Sequence, residues 1–220
     1  CTPGFVMSIA ALQLDMRHAD SIQTPDREQI DQHLAGNLCR CTGYGPIIDA
    51  ARQACNQPLP DYWSHQQTAV QSILSQWQKQ DETLHVECES GLFAAPRTEA
   101  ELATYLSDQH SPPTLLAGAT DIGLWITKEG RQLTTLLHLG QLSSLKTVNR
   151  RADELEIGAA VSLRRAEPEL TRLAPDLGLL LRRFGARQVR SQGTIGGNIA
   201  NGSPIGDLPP ALIALGATLR

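Results

Sequence analysis

Apolar side chains recur every three or four residues at the start of the chain, and this period predicts helices. Residues 3 to 17, PGFVMSIAALQLDMR, carry them at helical spacing, with Pro3 near the start where a missing N–H is tolerated. TPDREQIDQHLAGN (24–37) predicts a second helix, with Thr24 as N-cap, Pro25 at the first helical position and Gly36 closing it. GPIIDAARQAC (45–55) predicts a third, again opened by a proline, Pro46. Together these helices make a small all-α unit over 1–55, too short to be held by a bare hydrophobic core.

The pattern then changes twice. NQPLPDYW (56–63) reads as a turn, followed by a polar, glutamine-rich amphipathic helix from Ser64 to Lys79 and an acidic loop, so 56–92 is expected to be a linker. From Phe93 onward, strands and helices mix. FAAPRTEAELATYL gives a short strand and then a capping box of Thr98 and Glu101. PTLLAGATDIGLWI reads as a buried strand, a glycine-rich turn and a helix, while TTLLHLG and LEIGAAVSL read as strands. APDLGLLLRRFGARQVR is expected to form one helix, and GTIGGNIANGSPIGDLPPALIALG a glycine-rich loop running into another. The expectation is an α+β chain of two domains, 1–55 and 93–220.

Composition narrows the function classes. The 220 residues are 41% hydrophobic and 19% charged, and no apolar run is long enough to cross a bilayer. A net charge of −4 argues against a nucleic-acid surface, which needs a basic face. The densest basic stretch, Arg182, Arg183, Arg187 and Arg190, has the spacing of a solvated helix face. Five cysteines, an odd count without regular spacing, make a poor disulfide framework, and no secretory signal is visible. A reducing, cytoplasmic compartment is expected. The chain opens on Cys1 and ends at Arg220 just after an apolar run, so it is expected to be a piece of a longer polypeptide.

Three stretches carry chemistry. In NLCRCTGYGP, Cys39 and Cys41 flank one arginine, a spacing unsuited to a disulfide between them and better suited to two thiolates on one metal centre. Reduced thiols, a zinc site and an iron–sulfur site all remain open on spacing alone. Cys1, at a helix start where backbone N–H groups favour a thiolate, could face this pair if the first two helices pack antiparallel. Cys55 and Cys88 read as plain thiols. In TLLAGATDIG, a strand enters a turn of small residues and a helix start, which is how backbone N–H groups are presented to a phosphate; Gly118 permits close approach and Thr120 adds a hydroxyl. In TIGGNIANGSPIGD, polar and glycine positions alternate with Ile195, Ile199 and Ile205, so one face is held to a core while the other meets a ligand. There Gly196 and Gly197 permit approach, Asn198 and Ser203 can hydrogen-bond, and Asp207 suits hydroxyls or a flavin N–H.

CTPGFVMSIAAL followed by HLAGNLCRCTGYGPIIDAA resembles the helical 2Fe–2S domain of the xanthine dehydrogenase family of molybdenum hydroxylases, and RQVRSQGTIGGNIANGSPIGDLPPAL resembles that family's flavin domain. The resemblance implies an all-α 2Fe–2S-binding domain followed by an α+β FAD-binding domain of the type 2, PCMH-like class, both truncated. It implies that Cys1, Cys39 and Cys41 are metal ligands, with a fourth cysteine upstream of this chain. Leu115, Leu116, Ala117, Gly118, Ala119, Thr120, Asp121 and Ile122 would wrap the FAD diphosphate, and Thr194, Gly197, Asn198 and Asn201 would complete that cradle. Asp207 would sit near the ribityl chain, and Phe184 falls where an aromatic approaches the isoalloxazine. It further implies an electron-transfer subunit that passes electrons from purine hydroxylation at a partner's molybdenum centre through 2Fe–2S clusters to FAD and NAD+. The implied partner is a molybdopterin-binding large subunit, in a heterotetramer. An aldehyde or aromatic hydroxylase using the same electron chain, and a zinc-stabilised interaction module, are the rival readings.

Overall fold

The computed structural model describes residues 1–17, 24–58, 61–78, 82–107 and 112–220. The chain divides into two compact units, Cys1–Glu82 and Thr83–Arg220. Among the described residues, no helix is long and apolar enough to cross a membrane.

Among the described residues, the first unit holds four helices: α1 (Thr2–Arg17), α2 (Arg27–Leu34), α3 (Tyr44–Cys55) and α4 (Asp61–Gln78). Phe5 and Leu12 lie two turns apart on α1 and pack with Ile30 and Leu34 of α2 and Ile48, Ala51 and Cys55 of α3. Gln13 pins α1 to the end of α3 by donating Nε2 to the carbonyls of Ala54 (2.8 Å) and Gln57 (3.1 Å). The cap of α2 falls two residues later than expected. Asp26 accepts from the Gln29 N–H at 2.7 Å while its own N–H donates to the Gln29 side chain at 2.9 Å, closing a reciprocal box. Thr24 instead donates its hydroxyl to Asn56 beyond α3, at 3.0 Å. Gly36 closes α2 as expected, with φ 91°. On α4, Val70, Ile73, Leu74 and Trp77 form an exposed apolar stripe. The expected end of this helix at Lys79 lies outside the described residues.

The second unit begins earlier than Phe93. The stretch expected to be an acidic loop contains a strand, β1 (Leu84–Cys88), paired antiparallel with β2 (Gly91–Ala95). All five β1 residues are exposed, so Glu87 stays in water on a sheet edge, where charge is tolerated. The other strands of this sheet are β3 (Thr114–Leu116) and β4 (Thr135–His138), in the order β1-β2-β4-β3 with β2, β4 and β3 parallel. Helix α5 (Glu99–Ser107) follows β2, and α6 (Ile122–Thr127) follows β3. Thr98 Oγ1 accepts from the Glu101 N–H at 3.2 Å, but the Glu101 carboxylate reaches the N–H of Arg97 (2.8 Å), one residue before the expected box. The strand β3 is half-exposed rather than buried.

A second pair of strands, β5 (Val148–Arg150) and β6 (Leu155–Ile157), leads to five helices: α7 (Leu163–Leu173), α8 (Pro175–Arg183), α9 (Arg187–Gln192), α10 (Ile195–Ala200) and α11 (Leu208–Ala214). Val161, Leu163, Ala166, Leu170, Leu177, Leu181, Ile195 and Leu208 form their common core. The single helix expected over 174–190 is two. Gly185 turns left-handed (φ 52°), and the buried Arg190 guanidinium donates to the carbonyls of Gly185 (2.8 Å) and Phe184 (3.0 Å) at the break. The glycine-rich loop from 193 also contains a helix, α10, capped by Thr194, whose Oγ1 accepts from the Gly197 N–H at 3.1 Å. Buried Ile195 and the close packing of Gly196 on Ala159 hold it in place despite two glycines.

Candidate functional site

The loop between α2 and α3 gathers the two cysteines. Its start is tied down by the Cys39 N–H, which donates to the Tyr44 hydroxyl at 3.2 Å, and Tyr44 meets Phe5 of α1 edge to face at 6.4 Å. The Cys39 and Cys41 sulfurs lie 3.9 Å apart. Two thiolates on a tetrahedral metal with bonds of about 2.3 Å are separated by about 3.8 Å, so the pair fits a shared metal. Backbone N–H groups, first that of Cys41 and then that of Thr42, point at the Cys39 sulfur and lower its pKa from 9.0 to about 7. Cys1 is exposed, and among the described residues no three Cys, His, Asp or Glu side chains converge on a metal position. The fold therefore brings together Cys39 and Cys41 but not Cys1. Cys55 is buried in the helical core, and Cys88 sits by the β1–β2 hairpin, its sulfur 3.0 Å from the Ser90 hydroxyl.

In the second unit, the two glycine-rich stretches meet. The turn after β3 runs against the residues preceding α10: a Cβ on Gly118 would lie 2.0 Å from the Gln192 carbonyl oxygen. Only a glycine allows that approach. Ala119 adopts φ 61°, the left-handed region that costs a β-carbon-bearing residue about 1 kcal/mol or more. Among the described residues, no acceptor meets the N–H groups of Gly118, Ala119, Thr120, Asp121 and Ile122. Ala119, Thr120 and Asp121 are exposed.

The 194–198 segment behaves differently. Its N–H groups are already satisfied: Ile195 donates to Val161, Gly196 to Ala159, Gly197 to the Thr194 hydroxyl and Asn198 to the Thr194 carbonyl. Its contribution to a ligand is thus close approach and side chains, not free amides. Asn198 Oδ1 is buried without a partner, a polar atom that a ligand donor would satisfy. Asn201 ends α10 and Asp207 precedes α11, both exposed, and Phe184 packs partly buried on the helical core. Among the described residues, no hydrogen bond joins Phe184, Asn201 or Asp207 to the 115–122 turn.

Beside the junction of the two stretches is a cavity of about 430 Å³, with Ala117 and Thr194 in its wall. His138, at the end of β4, also lines it. Burial pushes the His138 imidazole below its ordinary pKa, a bond to the Ala117 backbone acts the opposite way, and the Lys146 charge adds to the depression. Sequence reasoning did not single out His138, Lys146, Ser162 or Arg165, all of which line the cavity. One signal was present: apolar Leu163, Ala166 and Leu170 behind Ser162 announce α7, whose first turn carries Arg165.

Comparison with known proteins agrees with this layout. Residues 86–220 match the FAD binding domain in molybdopterin dehydrogenase, and residues 1–52 match a 2Fe–2S binding domain. The chain belongs to the FAD-binding-domain family of the molybdopterin dehydrogenases. It is 30% identical over 267 residues to xanthine dehydrogenase of Drosophila pseudoobscura pseudoobscura, with 100% of this chain and 19% of the relative covered. It is 27% identical over 269 residues to aldehyde oxidase 2 of Mus musculus, covering 100% of this chain and 20% of that protein. The chain thus spans about a fifth of the length of these relatives. Among solved structures, carbon monoxide dehydrogenase from Hydrogenophaga pseudoflava, lacking the Mo-pyranopterin moiety, superposes with a TM-score of 0.52 at 27% identity, over 56% of this chain and 43% of that one. The Cu,Mo-CO dehydrogenase in its cyanide-inactivated form gives 0.52 at 24% identity, over 56% and 44%, and shares the fold.

Proposed function

We propose that this chain is the electron-relay part of a xanthine dehydrogenase, taking electrons from a partner molybdenum centre through 2Fe–2S clusters to FAD and then NAD+. The observation that carries the reading is the pairing on one chain of two sulfurs 3.9 Å apart with a strained turn whose N–H groups face no protein acceptor. When bound, the cluster supplies one-electron chemistry and the flavin supplies the exchange between one and two electrons. Everything else in the relay is placement. Cys39 and Cys41, whose sulfurs the fold brings together, would hold the cluster, with Cys1 as the further ligand that the family resemblance implies, and the N–H groups around Cys39 favour its thiolate form. The N–H groups of Gly118 to Ile122 would hold the diphosphate, with Leu115 and Leu116 in the strand that leads to the turn and Ala117 just after it. Thr194, Gly197, Asn198 and Asn201 would complete the cradle, Asp207 would take ribityl hydroxyls, and Phe184 would lie toward the isoalloxazine.

The resemblance to aldehyde oxidase 2 favours a second reading, in which the same relay serves an aldehyde-oxidising centre. A single experiment separates the two. The complete chain is reconstituted with iron, sulfide and FAD and assayed with its molybdopterin-binding large subunit. Xanthine-dependent reduction of NAD+, lost when the large subunit is withheld while NADH oxidation with an artificial acceptor persists, is the expected result. Turnover of aldehydes and not of xanthine would overturn the purine assignment, and a preparation without flavin or iron would overturn the relay itself.

A further inference from the structure

A second depression of this unit, of about 440 Å³, is lined by Val148 and Arg150 of β5 and by Arg165, Glu169 and Arg172 of α7. The three charged residues of α7 are spaced i, i+4 and i+7, which puts them on one face of the helix. Three guanidiniums thus surround one carboxylate, a local excess of positive charge on a chain whose net charge is −4. Glu169 anchors the arrangement. Its carboxylate accepts from Arg150 Nε at 2.9 Å and from Arg172, and its backbone carbonyl accepts from Arg150 Nη2 at 2.9 Å. The Arg150 bond, above all, holds the Glu169 carboxyl below its ordinary pKa, so it stays ionised. Arg150 and Arg172 are thereby held in place, and each guanidinium, with five N–H donors, keeps some for a further acceptor. Among the described residues, Arg165 has no ion pair. Of the neighbouring carboxylates, Glu156 meets Arg151 at 4.0 Å and Glu167 acts on Arg190. Arg165 also lies in the first turn of α7, at the positive end of the helix dipole, where no acidic residue offsets it.

We infer that Arg150, Arg165 and Arg172 form a docking surface for an acidic segment of a partner protein. Spacing selects the partner. Arg165 and Arg172 are seven residues apart, or about 10 Å along the helix, and Arg150 meets this ridge between them, at Glu169. A lone phosphate or carboxylate cannot span the ridge. Acidic side chains on one face of an extended peptide recur about every 6.5–7 Å and can meet both ends of it. The planar guanidinium fork also matches a carboxylate bidentately. Nucleic acid fits less well, because among the described residues no aromatic side chain lines the depression for a base to stack on. The surface requires neither the cluster nor the flavin, so it is independent of the function proposed above.

The test uses the complete enzyme and a fluorescein-labelled octaglutamate peptide, followed by fluorescence anisotropy at an ionic strength of about 0.01 M, where charges act over about 30 Å. The wild-type enzyme should bind the peptide and release it as salt rises to about 0.15 M. Arg165→Gln should weaken binding about two- to fivefold, and Arg165→Gln with Arg172→Gln about four- to twentyfold, the size of exposed ion pairs. Among the described residues, Arg165→Gln breaks no ion pair, so its effect is readable even where Arg172→Gln costs stability. Arg182→Gln with Arg183→Gln neutralises two exposed arginines of α8 outside the depression and should leave affinity within about twofold of wild type. No binding by the wild type, unchanged affinity in the Arg165 variants, or an equal loss in the Arg182 and Arg183 variant would each overturn the inference. Inorganic phosphate binding more tightly than the peptide would overturn it in favour of a single-anion site. Octathymidylate binding more tightly would overturn it in favour of a nucleic-acid surface.

Discussion

Gly118→Ala is the sharpest perturbation this structure offers. The added Cβ would lie 2.0 Å from the Gln192 carbonyl oxygen and 2.6 Å from its carbon, so the two backbones must part by about 1 Å to reach even 3.0 Å. The Gln192 side cannot yield easily, because the Gly193 N–H donates to Val189 at 2.7 Å and its carbonyl accepts from Leu163 at 2.8 Å. The turn must move instead, and it carries the left-handed Ala119 with it. Overpacking of this kind costs about 1–3 kcal/mol of stability. Misplacing one N–H that meets a diphosphate costs about 1.5–3 kcal/mol more in binding, or about 10- to 150-fold in FAD affinity. The assay pairs FAD titration of the flavin-free enzyme with thermal unfolding. Gly123→Ala is the control: its Cβ meets nothing within 4 Å, and it sits inside α6, where alanine gains up to about 1 kcal/mol. Gly118→Ala with wild-type FAD affinity and melting temperature, or Gly123→Ala with an equal loss, would refute the reasoning.

Two further outcomes follow from the geometry. In the cluster-free chain, alkylation of Cys39 followed by mass spectrometry should reach half its maximal rate near pH 7; a midpoint near 9 would show that the N–H groups of Cys41 and Thr42 do not act on it. The sign follows from the lowered folded value: the thiolate's contribution to folding is fully present above the unfolded pKa of 9.0 and is lost as pH falls through about 7. Arg190→Met keeps the apolar stem but strips donors from the carbonyls of Phe184 and Gly185, so it should cost about 1–3 kcal/mol, with partial recovery in Arg190→Lys. An unchanged melting temperature would mean that the α8–α9 break does not depend on this guanidinium.

The local chemistry of this chain is written in short stretches. Helical period and proline position predicted α1, α2 and α3, because a 3.6-residue repeat needs no knowledge of distant contacts. The thiol pair was equally legible, since residues two apart on a turn are neighbours in any fold. Legibility ended where a partner far along the chain decided the outcome. Asp26 took the cap from Thr24 because Asn56, 32 residues away, holds the threonine hydroxyl. The acidic stretch became an edge strand because β2 offered an unpaired side. One expected helix became α8 and α9 because Arg190 folds back onto the carbonyls between them.

The candidate site divides along the same line. Two glycine-rich stretches are visible in the sequence because close approach demands a residue without a Cβ wherever it occurs. That they approach each other at Gly118 and Gln192, and that the first keeps its N–H groups available while the second spends them on its own helix, depends on how β3 and α10 are packed. Sequence reasoning singled out neither Lys146 nor Arg165. Their meeting on one cavity, without a carboxylate between them, is a product of folding, because electrostatic partnership is set by distance in space and sequence records only order along the backbone.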